Sequence, residues 1–154
     1  MYLESKNFIV RKLKTEDKGN IKALEESRPW AKGIFGDKDL LPEKHRFDYF
    51  EHLWEGYIDK DYIWCIYRKD CQFCGDVQLD KNSETEYNLY IQLMDDAKIE
   101  GFGTELFDQL IEGVIEETGA QYLEFELWNQ DDKSKIIFEE AGCDMADGIW
   151  EYEN

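Results

Sequence analysis

The sequence predicts an α/β fold of the α+β kind, with one mixed, mostly antiparallel sheet of about seven strands, helices on both faces and a single domain over residues 1–154. Three observations lead there. Short runs rich in β-branched and aromatic residues, bounded by turn residues, read as strands. Apolar residues at helical spacing fill several of the intervals between them. The elements follow the order β-α-α-β-β-β-α-β-α-β-β, which a sheet with helices on its faces accommodates.

The first strand is Phe8-Ile9-Val10-Arg11-Lys12-Leu13. Thr15 can cap the helix that follows, with Ile21 and Leu24 as its apolar stripe and Pro29 as its stop. Residues 30 to 42 carry Gly33, Gly36 and Pro42 without periodicity and read as a loop. Phe47, Phe50, Trp54, Tyr57 and Ile58 recur at helical spacing, as a core-packing stripe or a wall of a substrate cleft. Tyr62–Tyr67, Gln72–Leu79 and Thr85–Leu93 form an antiparallel meander, with turns at Arg68-Lys69-Asp70 and Asp80-Lys81-Asn82-Ser83. Gly75 inside the second of these marks a bulge or a close backbone approach. Leu106, Phe107, Leu110, Ile111 and Val114 line the next helix, which Gly119 follows. Tyr122–Trp128 is a strand, Asp132–Ala141 a helix, and Cys143–Tyr152 a pair of short strands around Asp147-Gly148.

Composition excludes several classes. Hydrophobic content of 42% and aromatic content of 15% argue against disorder. No apolar run approaches the roughly 20 residues of a membrane span, and Met1-Tyr2-Leu3-Glu4-Ser5-Lys6-Asn7 is no signal peptide, so a cytoplasmic location is expected. A formal charge of −18 disfavours nucleic acid and favours a cationic partner, an amine or a basic peptide. A homodimer stays open. Cys71-x-x-Cys74 has no second pair to complete a zinc site, and its spacing on a strand sends the side chains to opposite faces. No metal is therefore expected.

The stretch with chemistry in it is Leu93-Met94-Asp95-Asp96-Ala97-Lys98-Ile99-Glu100-Gly101-Phe102-Gly103-Thr104. It lies between a strand and a helix. Glycines at a helix start leave backbone N–H groups accessible, where the helix dipole also favours an anion. Such a junction suits phosphate or pyrophosphate. Glu100 places a carboxylate inside the loop and should weaken anion binding. Gly103→Val should block binding while the fold persists, if Gly103 makes room for a phosphate.

Lys98-x-x-Gly101-x-Gly103 resembles the coenzyme-A-binding motif Q/R-x-x-G-x-G/A of the Gcn5-related N-acetyltransferases. Asp131-Asp132-Lys133-Ser134, followed by Phe138-Glu139-Glu140-Ala141-Gly142-Cys143, is similar to the family's "N-x-x-A/S … Y-E-K-x-G-F" segment. Ser134 and Gly101-Phe102-Gly103-Thr104-Glu105 lean towards the branch that acetylates protein N-termini, the ribosomal-protein acetyltransferases.

The resemblance implies a single-domain acetyltransferase fold and transfer of an acetyl group from acetyl-coenzyme A to a primary amine in a ternary complex. The amine would be a small cation, a protein N-terminus or a lysine. The alternative it leaves open is a non-catalytic module of the same fold that binds coenzyme A or a protein partner. It implies that Lys98, Ile99, Glu100, Gly101, Phe102, Gly103 and Thr104 hold the pyrophosphate, and that Leu93 and Met94 supply backbone donors to the pantetheine arm. Asn129, Asp131 and Ser134 are its further coenzyme contacts. For the base that deprotonates the amine, Glu86 and Glu126 are the candidates, with Glu84 and Glu124 beside them on the same two strands. Phe138 replaces the family's tyrosine, and a phenyl ring gives no proton. Tyr90 and Cys143 are the substitutes in reach of the sequence.

Overall fold

The computed structural model describes residues 1–27, 43–126, 132–143, 145–146 and 149–153, with backbone alone at 43–49, 126, 145–146 and 149–150. Among these residues the chain forms strands β1 (Tyr2–Glu4), β2 (Phe8–Lys12), β3 (Ile63–Arg68), β4 (Phe73–Lys81), β5 (Glu86–Leu93), β6 (Tyr122–Glu126), β7 (Met145–Ala146) and β8 (Ile149–Glu153). The helices are α1 (Lys18–Glu26), α2 (Glu43–Ile58), α3 (Phe102–Thr118) and α4 (Asp132–Glu140). The expected loop with Pro29, Gly33, Gly36 and Pro42, and the expected positions of Trp128, Asn129, Asp131, Asp147 and Gly148, lie outside the described residues.

Two compact units result. One joins residues 1–12 to 62–154, and the other is 13–61. In the first, eight strands make one sheet in the order β1-β2-β3-β4-β5-β6-β8-β7. Every neighbouring pair is antiparallel except β5 and β6, which α3 connects in parallel. The strand added to the expected seven is β1. Its three residues pair with β2 across a Ser5–Asn7 turn, and a strand that short leaves almost no periodic trace.

Alternation along β5 sorts its two faces. Tyr87, Leu89, Ile91 and Leu93 enter the core with Val77 and Leu79 of β4 and Leu123 and Phe125 of β6. Leu106, Phe107, Leu110 and Val114 of α3, with Ile137 and Phe138 of α4, belong to the same cluster. Gly75 is the close approach anticipated there. A Cβ on it would stand 1.9 Å from the Gln92 carbonyl oxygen. Beside it Cys74 is the extra residue of a bulge, because Ile66 pairs with Gly75 and Tyr67 with Phe73.

In the second unit a 3₁₀ turn, Thr15–Asp17, leads into α1. Asp17 rather than Thr15 supplies the cap, its carboxylate accepting from the Lys14 N–H at 2.7 Å. The Tyr57 hydroxyl of α2 donates to Glu25 of α1, and Lys18 pairs with Glu51 at 2.6 Å. Phe50, Trp54 and Tyr57 are buried, whereas Ile58 is exposed.

Candidate functional site

The site grows from the end of β5. The Met94 N–H donates to the Cys74 carbonyl at 2.8 Å. In an antiparallel ladder successive residues alternate the side on which their peptide groups bond. Leu93 therefore turns its N–H away from β4, towards the side where β6 lies. The described register of β5 with β6 ends at Tyr90 and Glu126, so Leu93 lies beyond its last rung. Of the two expected backbone donors, the Leu93 N–H points towards the β6 side, whereas the Met94 N–H closes the ladder to β4.

The loop that follows is held by its carbonyls. The Lys133 ammonium, on the first turn of α4, donates to Met94 O (3.0 Å), Asp95 O and Ala97 O (2.7 Å). Gln72 Nε2 donates to Asp96 O at 3.3 Å, and Arg68 Nη1 to Lys98 O at 3.3 Å. Each carbonyl oxygen from Met94 to Lys98 thus faces a side-chain donor. The Lys98 side chain, the expected basic lead of the motif, is exposed, as is that of Glu100. Ala97 and Ile99 between and beside them are buried and anchor the loop in the core.

Gly101 caps α3 with φ 86°, the left-handed conformation that favours glycine. The Phe102 N–H returns to Ile99 O at 3.0 Å, and Thr104 Oγ1 donates to Gly101 O at 3.1 Å. The N–H groups of Gly101 and Gly103 converge on one carboxylate, Glu140 at the end of α4, at 3.4 and 3.2 Å. Two backbone donors at the positive end of a 17-residue helix therefore already hold an anion. Gly103 has a packing reason as well. A Cβ there would sit 2.2 Å from Ile137 O and 2.8 Å from Glu140 Cβ. This corrects the expectation that Gly103→Val spares the fold.

A second carboxylate, Glu105, lies one turn along α3. It accepts from Ser5 Oγ (2.6 Å) and from the side-chain and backbone amides of Asn7 (2.7 and 3.3 Å). Its burial pushes its pKa up, but these hydrogen bonds outweigh that and hold the carboxyl below its ordinary value.

Other expected site residues are placed differently. Ser134 is fully buried, and its hydroxyl donates to Ile91 O at 3.1 Å, tying α4 to the end of β5. Phe138 is fully buried against Phe107 and Phe125, with ring centroids 5.3 and 5.6 Å away, so it packs the core. Glu86 opens β5 and is exposed, whereas Leu93 closes that strand, about 23 Å away at about 3.3 Å per residue. Glu126 pairs with Tyr90 on the last described rung, and its side chain lies outside the description, as do Asn129 and Asp131. On the face opposite the core, Asp76, Gln78 and Gln92 are buried. Asp76 is level with Gln92, and Gln78 Nε2 donates to Asp76 at 3.1 Å.

Lys133, Glu140, Arg68 and Asp76 were missed in the sequence. For the first two a signal exists. Lys133, Ile137 and Glu140 follow the i, i+4, i+7 spacing of one helix face, and that face meets the loop. Arg68 and Asp76 lie in a turn-like and an apolar stretch with no such pattern.

A family model described as an acetyltransferase (GNAT) domain matches residues 7–144. No curated protein matches the chain. Among solved structures, an acetyltransferase of the GNAT family from Bacillus anthracis is similar with a TM-score of 0.65 at 10% identity, over 99% of this chain and 98% of that one. A Vibrio cholerae protein provisionally named a ribosomal-protein-serine acetyltransferase gives 0.63 at 11%, over 100% and 98%. The spermidine N-acetyltransferase of Vibrio cholerae, in complex with CoA and spermine, gives 0.63 at 15%, over 94% and 92%. At these identities the likeness is one of fold.

Proposed function

We propose that this chain, which belongs to the GNAT acetyltransferase family, moves an acetyl group from acetyl-coenzyme A to a primary amine. The observation that carries the reading is the convergence of the Gly101 and Gly103 N–H groups on a single carboxylate. Donors that hold a carboxylate suit a phosphate oxygen equally well. The pyrophosphate would lie at the head of α3, and the pantetheine arm would run towards Leu93, whose N–H faces the β6 side. Acyl transfer then needs a neutral amine attacking the thioester carbonyl. The C–N bond forms, the C–S bond breaks and the thiolate leaves, while a base takes the ammonium proton. Glu126 is the proposed base, because its backbone stands beside Tyr90, three residues before Leu93. With Phe138 in the core, water protonates the thiolate. A coenzyme thiol resembles a free cysteine, near ~8.5, and leaves without strong acid help.

The acceptor is proposed to be a cation, either a polyamine or the N-terminus or lysine of a basic peptide. The net charge of −18 supports it. The test is thiol release from acetyl-coenzyme A across a panel of amines and peptides at low and moderate salt. The reading expects release with cationic acceptors, weaker as salt rises because exposed charges are screened beyond about 8 Å at physiological ionic strength. Tight coenzyme binding with no release on any amine would favour the non-catalytic module instead.

A further inference from the structure

We propose that Glu140 competes within the molecule for the donors that the coenzyme pyrophosphate needs, and so sets coenzyme affinity. The inference rests on the coenzyme reading of the α3 head and adds to it the residue that regulates occupancy. Glu140 spans the two glycine N–H groups with its two carboxylate oxygens, Oε1 on Gly101 and Oε2 on Gly103. It cannot withdraw by a movement of its helix alone. Gly103 leaves room for less than one Cβ against Ile137 O, so α4 is packed onto α3 at that point. The helix is further tied to the loop and to β5 by Lys133 on the loop carbonyls and by Ser134 on Ile91 O. What can move is the Glu140 side chain, which is only half-buried.

An arriving pyrophosphate meets the carboxylate at the same two donors, and two anions cannot share them. Coenzyme binding then requires the Glu140 side chain to rotate out, and the energy of its two hydrogen bonds is subtracted from coenzyme affinity. Glu100, the acidic residue that the sequence places in the loop, has no part in this exchange. Its side chain is exposed, and the carboxylate on the donors belongs to Glu140.

The experiment is calorimetric titration of coenzyme A into the full chain and into Glu140→Gln, at 0.05 and 0.5 M salt, with folding checked by circular dichroism. Glu140→Gln keeps the volume and removes the charged acceptor. Affinity should rise at least about tenfold, the low end of what losing a single charge-assisted hydrogen bond implies. The gain should persist at 0.5 M salt, because it comes from vacated donors and not from distant repulsion. Glu140→Asp, one methylene shorter, should fall between the two proteins. Equal coenzyme affinity in wild type and Glu140→Gln would overturn the competition while leaving the coenzyme reading intact. A gain that vanishes at 0.5 M salt would also overturn it, by reducing Glu140 to a screened surface charge. No binding by either folded protein would overturn the coenzyme reading and the competition together.

Discussion

Glu105 is held by three hydrogen bonds from the Ser5–Asn7 turn, and its carboxyl lies below the ordinary value of 4.5. A lowered folded pKa means that the charged form is favoured in the folded state. Its contribution is therefore complete above the unfolded value and disappears as pH falls through the lower, folded value. Glu105→Gln should cost about 1–2 kcal/mol at pH 7, and that cost should shrink as pH falls through the lowered folded value. Urea melts across that fall in pH check it, and a cost independent of pH would remove the carboxylate from the account. Phe138 makes the opposite case. Its ring touches Phe107 and Phe125 in the core. Phe138→Tyr would bury a hydroxyl among phenyl rings, at a cost of about 1–3 kcal/mol, with no gain in acetyl transfer. Thermal melts and kcat together test this, and a faster enzyme at unchanged stability would contradict it.

At the scale of elements, α3 and α4 are joined at a contact that tolerates no side chain. Gly103→Val must push Ile137 and Glu140 away, so the expected result is a loss of about 1–3 kcal/mol of stability, and weaker coenzyme binding only as a consequence. An unchanged melting temperature with coenzyme binding abolished would restore the purely steric reading. Lys133 acts on the loop instead. Its ammonium gathers the carbonyls of Met94, Asp95 and Ala97, so Lys133→Met should loosen the segment that presents Leu93 and Gly101. About a tenfold rise in KM for acetyl-coenzyme A is expected, with kcat less affected. A fall in kcat alone would give Lys133 a role in the chemistry.

Much of this was legible in the sequence. The glycine loop announced itself because left-handed backbone at Gly101 and close packing at Gly103 leave visible glycines. The meander and α3 were legible because their side-chain periods are long and regular. What escaped depends on chain-distant partners. Glu140 meets Gly101 from 39 positions away, and Lys133 meets Met94 from the same separation. No local pattern encodes those meetings, and one acidic residue among 36 carries no mark of its own. The same holds for the candidate base carboxylates. Alternation put Glu86 and Glu126 on strands, but only the pairing of β5 with β6 separates the one at the far end of its strand from the one near Leu93.

At the scale of the whole molecule, a strongly acidic protein belonging to a family of acetyltransferases has to receive a polyanionic coenzyme. The proposed local answer is the backbone N–H groups at the head of α3 and a loop whose carbonyl oxygens face Lys133, Gln72 and Arg68. We propose that the Gly101 and Gly103 amides bind the coenzyme's pyrophosphate. Nuclear magnetic resonance of ¹⁵N-labelled protein titrated with coenzyme A tests that claim at the atoms concerned. The amide resonances of Gly101 and Gly103 should shift and saturate with coenzyme, as Glu140 is exchanged for phosphate. Saturated coenzyme binding with both glycine amides unmoved would contradict it.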